Sequence, residues 1–600
     1  MLKRREYKAF DLIGLAFIVA PGWAIALLIQ QLIGALLPAL TVLATANFID
    51  TAIAIVSKGE SGTALHGSML ALSGIVLYQW VMGDIRKYIE SRILIATRLK
   101  YKTAIIRKCA SLDYRYIEEQ DTYDLIKRVV EPSETKIFGM YIDTLDLAST
   151  IINVLSILTI LVVHIWWAAL VILFCAIPVF FLAIKAGQSS YDAGRDVDKI
   201  ERQALYLTEV ATKREYVAER TLFGYAPKII DTFWERFEFA RKYKQKVERK
   251  NMIRIKAGGV LISLVSAFIM LILLQPVASG AITIGLFMSL INACSNLSST
   301  LSWGLSGQMS KFAKNKEHLK DLSAFCSLEE TKGALEERTL EVPAFRSLEF
   351  KNVSFAYPGT ENLILKHLSF TMNVEKHYAF VGENGAGKTT IIKLLTGQYS
   401  NYEGEILLNG KDIKELTNSE LKSFFSVAYQ DFARYSLTVK ENLSMSDLSE
   451  HELNRMNEVI GYLELSDMVE NLAKGLDTPL GKISEEGADL SGGQWQRIAL
   501  ARVALNLAPI KVLDEPTAAL DPLSESRLYE QFEKIIQGGM SIFISHRLGS
   551  IKLADEILVL KEGTLIEEGK HLELMQQEGY YFEMYQSQLK WYRESEVQSL

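Results

Sequence analysis

The run Gly382-Glu383-Asn384-Gly385-Ala386-Gly387-Lys388-Thr389 fits G-x-x-x-x-G-K-[ST] without a gap. It restricts the fold of this chain more than any other stretch, because such a loop works only between a strand and a helix. The apolar run 377–381 reads as that strand, and a helix is expected from about Thr389. The glycines allow a tight wrap whose N–H groups point at nucleotide phosphates. Lys388 can neutralise the β and γ phosphates, and the Thr389 hydroxyl can ligate Mg²⁺. The helix N-terminus adds its positive end to the same anion site. Taken alone, the loop is also compatible with a glycine turn of no special function.

Two later motifs remove that alternative. Leu490-Ser491-Gly492-Gly493-Gln494 is followed by Val512-Leu513-Asp514-Glu515 at the end of a short apolar strand. These elements in this order resemble those of ATP-binding cassette (ABC) transporters, and the resemblance covers essentially the whole chain. LSGGQ separates that family from kinases and GTPases that share only the phosphate loop. The implied fold is multi-domain: a six-helix all-α transmembrane domain of exporter type, then an α/β P-loop nucleotide-binding domain with a mostly parallel sheet. The expected divisions are 1–328 for the membrane domain with long cytoplasmic helices, 329–346 for a charged linker, and 347–600 for the nucleotide-binding domain.

Composition fits two unlike halves. The 600 residues exceed one ordinary core, and the 49% hydrophobic content is concentrated in the first half. Apolar segments at about 10–43, 65–82, 147–163, 168–184, 258–274 and 282–301 give six expected spans. A signal peptide is the competing reading of the first, but the run is far longer than an h-region and lacks a small-residue cleavage site. His164-Ile165-Trp166-Trp167 forms one tight turn between spans, and a second falls at about 275–280. Lysine and arginine crowd 86–136 and 185–256 but are scarce at 50–66 and in the tight turns, which places both long stretches and both termini in the cytoplasm of a multi-pass cell-membrane protein. By resemblance, coupling helices are expected near 113–123 and 216–225, solvated charged helix being the plain alternative. A net charge of -6 gives no case for nucleic-acid binding. Cys109, Cys175, Cys294 and Cys326 show no metal spacing and read as reduced packing residues.

The resemblance assigns the remaining site residues. Gly382, Asn384, Gly385, Gly387, Lys388, Thr389 and Thr390 hold the phosphates of ATP. Tyr357, at the end of the alternating strand Leu348, Phe350, Val353, Phe355, stacks on adenine. Gln430, Asp514 and Thr389 surround Mg²⁺, with Gln430 ending an apolar strand before a flexible segment. Glu515 is the general base, and Lys388 and His546 supply electrostatic contacts to the γ-phosphate. Asp521 lies in the D-loop. Lys511 interrupts the apolar run before Asp514 and is expected at a sheet margin, with its amine reaching water.

Ser491, Gly492, Gly493 and Gln494 open another helix N-terminus, yet the chain's own phosphate loop already provides one. In the resembled family the signature completes the site of a second subunit. The working unit is therefore expected to be a dimer with a second half-transporter, itself or a related chain. On the sixth span, Asn292, Ser295, Ser299, Ser302 and Ser306 share one helical face, either a hydrated path or a close packing seam; Gln30 and Gln31 carry the same ambiguity. The stretches Tyr429-Gln430-Asp431-Phe432-Ala433-Arg434-Tyr435 and 494–502 look like Gram-positive exporters of lanthipeptides, other bacteriocins and signalling peptides. With the first apolar run starting near Phe10, an N-terminal cysteine peptidase is not expected. The expected cargo is a peptide, with a drug-like amphipathic molecule or lipid as the alternative and an ATP-regulated membrane sensor as a third reading.

Overall fold

A computed structural model describes residues 2–58, 62–131, 133–280, 282–300, 304–338, 343–444, 450–483, 485–515, 539–544, 551 and 554–597. Packing divides the chain into one unit of residues 1–109 and 121–328, and a second of 110–120 and 329–600. The eleven residues 110–120 therefore pack with the C-terminal unit, although the chain on both sides of them belongs to the first.

The first unit is helical. The apolar run that reads as a single span is two helices, Ala9–Val19 and Pro21–Lys58. Ala20 between them has φ -148° and ψ 72°. The cause is local: the residue before a proline is pushed out of the α region, whereas proline is well tolerated in the first turn of the next helix. Among the described residues, three stretches are long and apolar enough to cross a bilayer, Pro21–Ser57, Leu65–Ser111 and Ser133–Trp167. Shorter apolar stretches, Ser263–Ala278 and Ile284–Leu297, fall where the fifth and sixth spans are expected. Helix Ser133–Thr212 breaks at Ile165, with φ -151° and ψ 68°, inside the expected tight turn. Large apolar side chains such as Trp80, Val163, Phe268 and Leu271 are exposed. That surface is costly in water and suits lipid.

Within this unit Ile157, Leu161, Ile269, Leu273, Leu290 and Leu297 form one buried cluster. A polar fastener joins four helices. Asp146 Oδ1 accepts from Gln31 Nε2 at 2.9 Å and from Arg86 Nη2 at 2.8 Å, and Gln308 Nε2 donates to Thr150 Oγ1 at 2.8 Å. Gln31 thus ties helices together. Asn292, Ser295 and Ser299 are exposed, while Leu290, Ala293, Cys294 and Leu297 on the other side of that helix are buried. The described part of the small-polar stripe is therefore not a packing seam within the protomer. Ser302 and the side chain of Ser306 lie outside the described residues. Among the described residues Cys109, Cys294 and Cys326 form no disulfide, the last two being buried; the side chain of Cys175 lies outside the described set. In the interval 216–225 the helix Val217–Leu222 leaves Leu222, Phe223 and Tyr225 exposed.

Among the described residues the second unit has ten strands: β1 Ser347–Ala356, β2 Leu363–Asn373, β3 His377–Val381, β4 Glu403–Leu408, β5 Lys411–Asp412, β6 Phe425–Ala428, β7 Ile510–Asp514, β8 Met540–Ile544, β9 Glu556–Lys561 and β10 Thr564–Gly569. One sheet is antiparallel, in the order β2-β1-β4-β5, and the other runs β10-β9-β3-β8-β7-β6. In the second sheet β9, β3, β8, β7 and β6 are mutually parallel and β10 alone is antiparallel. Strands β3, β7 and β8 are almost wholly buried, the pattern of strands covered on both faces. One core gathers Phe350, Phe380, Ile391, Leu395, Ile406, Ile542 and Leu558. A second, around Trp495, Ile498, Met456, Leu463 and Phe543, underlies the helix Gly492–Leu505.

Candidate functional site: the carboxyl edge of the parallel sheet

Pairing of β3 with β8, β8 with β7 and β7 with β6 brings their carboxyl ends to one edge: Phe380 faces Ile544, Ile544 faces Asp514, and Leu513 faces Ala428. Ligands bind at this edge in open α/β sheets. The phosphate loop leaves β3 here and enters the helix Lys388–Leu395. Two of its glycines are sterically required. A Cβ on Gly382 would sit 2.2 Å from the Leu560 carbonyl oxygen, and Gly387 has φ +100° with a Cβ position 2.5 Å from Leu365 Cδ2. Asn384, Gly385 and Thr389 are exposed at the loop surface, whereas Thr390 is buried.

Lys388 is buried, and its Nζ donates to the carbonyls of Gly382 at 2.8 Å and Glu383 at 2.9 Å. Burial holds its pKa below the usual lysine value, against the pull of Glu515 and Asp514. The cation is thus held under the loop by groups that phosphate oxygens can replace.

Asp514 ends β7 and is 1% exposed. Its Oδ2 accepts from Thr389 Oγ1 at 3.1 Å, and its Oδ1 is buried with no hydrogen-bond partner among the described residues. Burial raises its pKa to about 6, partly offset by the Thr389 bond. An orphaned carboxylate oxygen beside a threonine hydroxyl and an exposed glutamine amide is an all-oxygen donor set, which suits Mg²⁺. Glu515 follows with φ +48°, its N–H donating to the Ile544 carbonyl at 2.9 Å. Such a backbone conformation in a non-glycine residue costs energy and is concentrated at functional sites. It sends the Glu515 side chain to Gln430, whose Nε2 donates to Oε2 at 2.8 Å. Asp521 and His546 lie outside the described residues.

Tyr357 is half-buried; its hydroxyl is 2.9 Å from Thr390 Oγ1, and its ring meets Phe355 and Tyr399 edge-on. The residues 110–120 pack against the same cluster. The single turn Arg115–Glu118 lies in the interval expected to hold the first coupling helix. Glu118 accepts from Lys393 Nζ at 2.5 Å and from the Tyr399 hydroxyl. Tyr114 and Tyr357 have ring centres 5.5 and 5.4 Å from Lys393 Nζ. Burial would raise the Glu118 pKa, but Lys393 and Tyr399 outweigh it and hold the carboxyl below its usual range.

The signature helix Gly492–Leu505 begins with a capping box. Gln494 N donates to Ser491 Oγ at 3.3 Å, and Ser491 N donates to Gln494 Oε1 at 2.9 Å. The S-x-x-Q spacing carries that signal. Ser491 and Gly492 are exposed, so the positive end of the helix faces outward. Arg502 pins the same helix to the segment after Gln430, donating to the Ala433 carbonyl at 2.7 Å and to Asn442 Oδ1 at 2.6 Å.

Lys511 corrects the sequence expectation. It lies on the interior strand β7, is buried, and donates to the carbonyls of Val503 at 2.9 Å and Asn506. The helix end offers the acceptors that water was expected to supply. Burial, reinforced by Arg455 and Arg338, pushes its pKa down to about 7. Sequence reasoning missed Lys511, Arg502, Lys393 and Glu118 as organising residues, since each acts on a group distant in sequence.

Residues 365–518 match the family model described as ABC transporter. The fold superposes on a bacterial Atm1-family ABC exporter with ATP bound at a TM-score of 0.78, over 94% of this chain and 99% of that one, at 23% identity. The chain is 29% identical over 522 residues to the subtilin transport ATP-binding protein SpaT of Bacillus subtilis, covering 86% of this chain and 84% of that protein. Residues 365–518 are an ABC transporter domain, and the chain has the ABC exporter fold. It is also 27% identical over 579 residues to the nisin transport ATP-binding protein NisT of Lactococcus lactis, covering 96% and 95% of the two chains. An ATP-dependent lipid A-core flippase of Pectobacterium atrosepticum is 27% identical over 534 residues, covering 86% and 88%. The protein is an ATPase-coupled translocase, with an ABC ATP-binding domain fused to an N-terminal membrane domain.

Proposed function

We propose that this exporter moves a peptide, of the lanthipeptide, bacteriocin or signalling class, out across the cytoplasmic membrane by alternating access in a dimer. The observation that carries the reading is the similarity to SpaT and NisT over 86% and 96% of the chain. Residues 1–328 form the membrane domain, 329–346 the linker and 347–600 the nucleotide-binding domain, with both termini cytoplasmic. The second half-transporter is another copy or a related chain.

In this reading the loop residues Gly382, Asn384, Gly385, Gly387, Lys388, Thr389 and Thr390 cradle the ATP phosphates, and Tyr357 packs on adenine. Asp514, Thr389 and Gln430 would hold Mg²⁺. A magnesium ion there would neutralise charge on the β and γ phosphate oxygens. Glu515, aimed by its backbone strain and by Gln430, accepts the proton of the attacking water while Lys388 and His546 stabilise the transferring phosphoryl group. Ser491, Gly492, Gly493 and Gln494 close over the γ-phosphate held by the partner, with Asp521 at the dimer seam. Closure turns the cavity between the two membrane domains outward, and hydrolysis resets it.

The test is ATP-driven accumulation of a labelled lanthipeptide in inverted membrane vesicles. Uptake abolished by Glu515→Gln supports the reading, and absence of uptake with intact ATPase rejects it. The similarity to lipid A-core flippases favours lipid as the second reading. Protection of a fluorescent lipid in the same vesicles, without peptide uptake, would establish it.

A further inference from the structure

The C-terminal end of the signature helix is held by three cations from three elements. Lys511 on β7 donates to the Val503 and Asn506 carbonyls, and Arg455 Nη2 donates to the Ala504 carbonyl at 3.2 Å. Arg338, from the segment that precedes β1 in the second unit, donates to Asn506 Oδ1. Asn506 is the cap of that helix, and its Oδ1 also accepts from Ala508 N at 2.9 Å.

Arg338 is the far end of a strap. At its near end the strap pairs with residues 110–120: Thr331 N donates to the Ser111 carbonyl at 2.8 Å, Asp113 N donates to the Glu329 carbonyl at 3.2 Å, and Leu112 and Glu330 form an antiparallel bridge. Ser111 Oγ donates to Glu330 Oε2 at 3.1 Å, and Arg115 is ion-paired with Glu329. Between these ends the strap is fastened along the helix Asn418–Phe424. Asn418 Nδ2 donates to the Lys332 carbonyl at 2.8 Å, Ser419 Oγ to that of Glu337 at 2.5 Å, and Lys422 Nζ to those of Ala334 at 2.7 Å and Glu336 at 3.1 Å. Every bond but the Arg115 pair, the Ser111 side-chain contact and the Arg338 bond to Asn506 uses strap backbone carbonyls or amides, so the path between its two ends depends on chain geometry more than on strap side chains.

We propose that residues 329–338 are a mechanical arm that passes displacement of the coupling segment to the rear of the signature helix, with Arg338 and Asn506 as positioning residues for the signature. The arm runs separately from the contact of Gln430 with Glu515. It acts on the helix that offers its front end to the partner's nucleotide, whereas Gln430 acts on the chain's own site. The consequence for hydrolysis rests on the composite-site reading given above; the transmission itself does not.

The full-length protein in lipid nanodiscs provides the test, read by hydrogen exchange of the signature-helix amides 500–506 and by ATP hydrolysis. Arg115→Ala, which loosens the near end and does not touch the signature helix, is expected to raise exchange at 500–506 about three- to tenfold. In an Arg338→Ala background the same substitution is expected to add nothing, a non-additivity that identifies coupling through the strap. Arg338→Lys should restore most of the response. Unchanged exchange in Arg115→Ala, or strictly additive effects of the two substitutions, overturns the proposal. On the hydrolysis arm, Arg338→Ala is expected to raise the ATP concentration giving half-maximal rate about threefold or more, with cooperativity reduced. A wild-type protein with no cooperativity in ATP would count against the composite-site reading, while the exchange result would still decide the strap.

Discussion

Gln430 Nε2 donates to Glu515 Oε2 across 2.8 Å, so the residue at the end of β6 holds the residue at the end of β7 by its carboxylate. The same carboxylate is presented by a backbone at φ +48°. Position and orientation of the proposed base are therefore set by two elements at once, and each can be removed separately.

Glu515→Gln keeps a side chain that can still accept from Gln430 but cannot take a proton. It should lower the maximal ATPase rate by roughly 10²–10³-fold with ATP affinity preserved. Gln430→Ala should leave the base intact but unaimed, for a loss of about tenfold. Steady-state hydrolysis and binding of a fluorescent ATP analogue measure both. Normal hydrolysis by Glu515→Gln would remove this residue from the role of base.

Gly387→Ala combines a left-handed backbone with a Cβ 2.5 Å from Leu365 Cδ2. The conformational cost is about 1–2 kcal/mol, and the displaced loop carries Lys388 with it. ATP affinity should fall at least tenfold, and unfolding should begin about 2–8 °C lower. Differential scanning fluorimetry with and without ATP checks both. Unaltered binding would mean that the loop does not need this geometry.

Lys393 Nζ lies 2.5 Å from Glu118 and within 5.5 Å of the Tyr114 and Tyr357 ring centres. Lys393→Met should reduce peptide moved per ATP hydrolysed about fivefold, and Glu118→Gln should do much the same. Because both remove one link, the double variant should be no worse than either single one. Additive losses in vesicle uptake would show that the two residues act independently.

Lys511 supplies a pH prediction. Its folded pKa is depressed to about 7 from an ordinary value of 10.5, so between those values the unfolded chain binds a proton that the folded chain releases. Wild-type stability must then rise with pH across that window, by at most about 1.4 kcal/mol per pH unit. The burial cost of the charged amine is carried in full below pH 7. Lys511→Met has no such term. The unfolding temperature of wild type relative to Lys511→Met should increase from pH 6.5 to pH 9. A constant difference would mean that the amine stays charged throughout.

Local patterns carried much of this protein. The G-x-x-x-x-G-K-T run, once the later motifs had ruled out a plain glycine turn, pointed to strand, loop and helix, and His377–Val381 is that strand. Alternation at Leu348, Phe350, Val353 and Phe355 dictated a half-buried strand, and the charge-poor apolar runs dictated helices long and apolar enough to cross a bilayer. The break at Ala20 could have been read from Pro21. Lys511 could not, because a lysine in an apolar strand is resolved only by knowing which helix end lies above it. The Gln430 bond to Glu515, the Lys393 pair with Glu118 and the strap from Ser111 to Asn506 are likewise decided by tertiary structure. Sequence periodicity reports which face of an element is buried, whereas a polar partner depends on where distant segments converge once burial has made an unpaired group too costly.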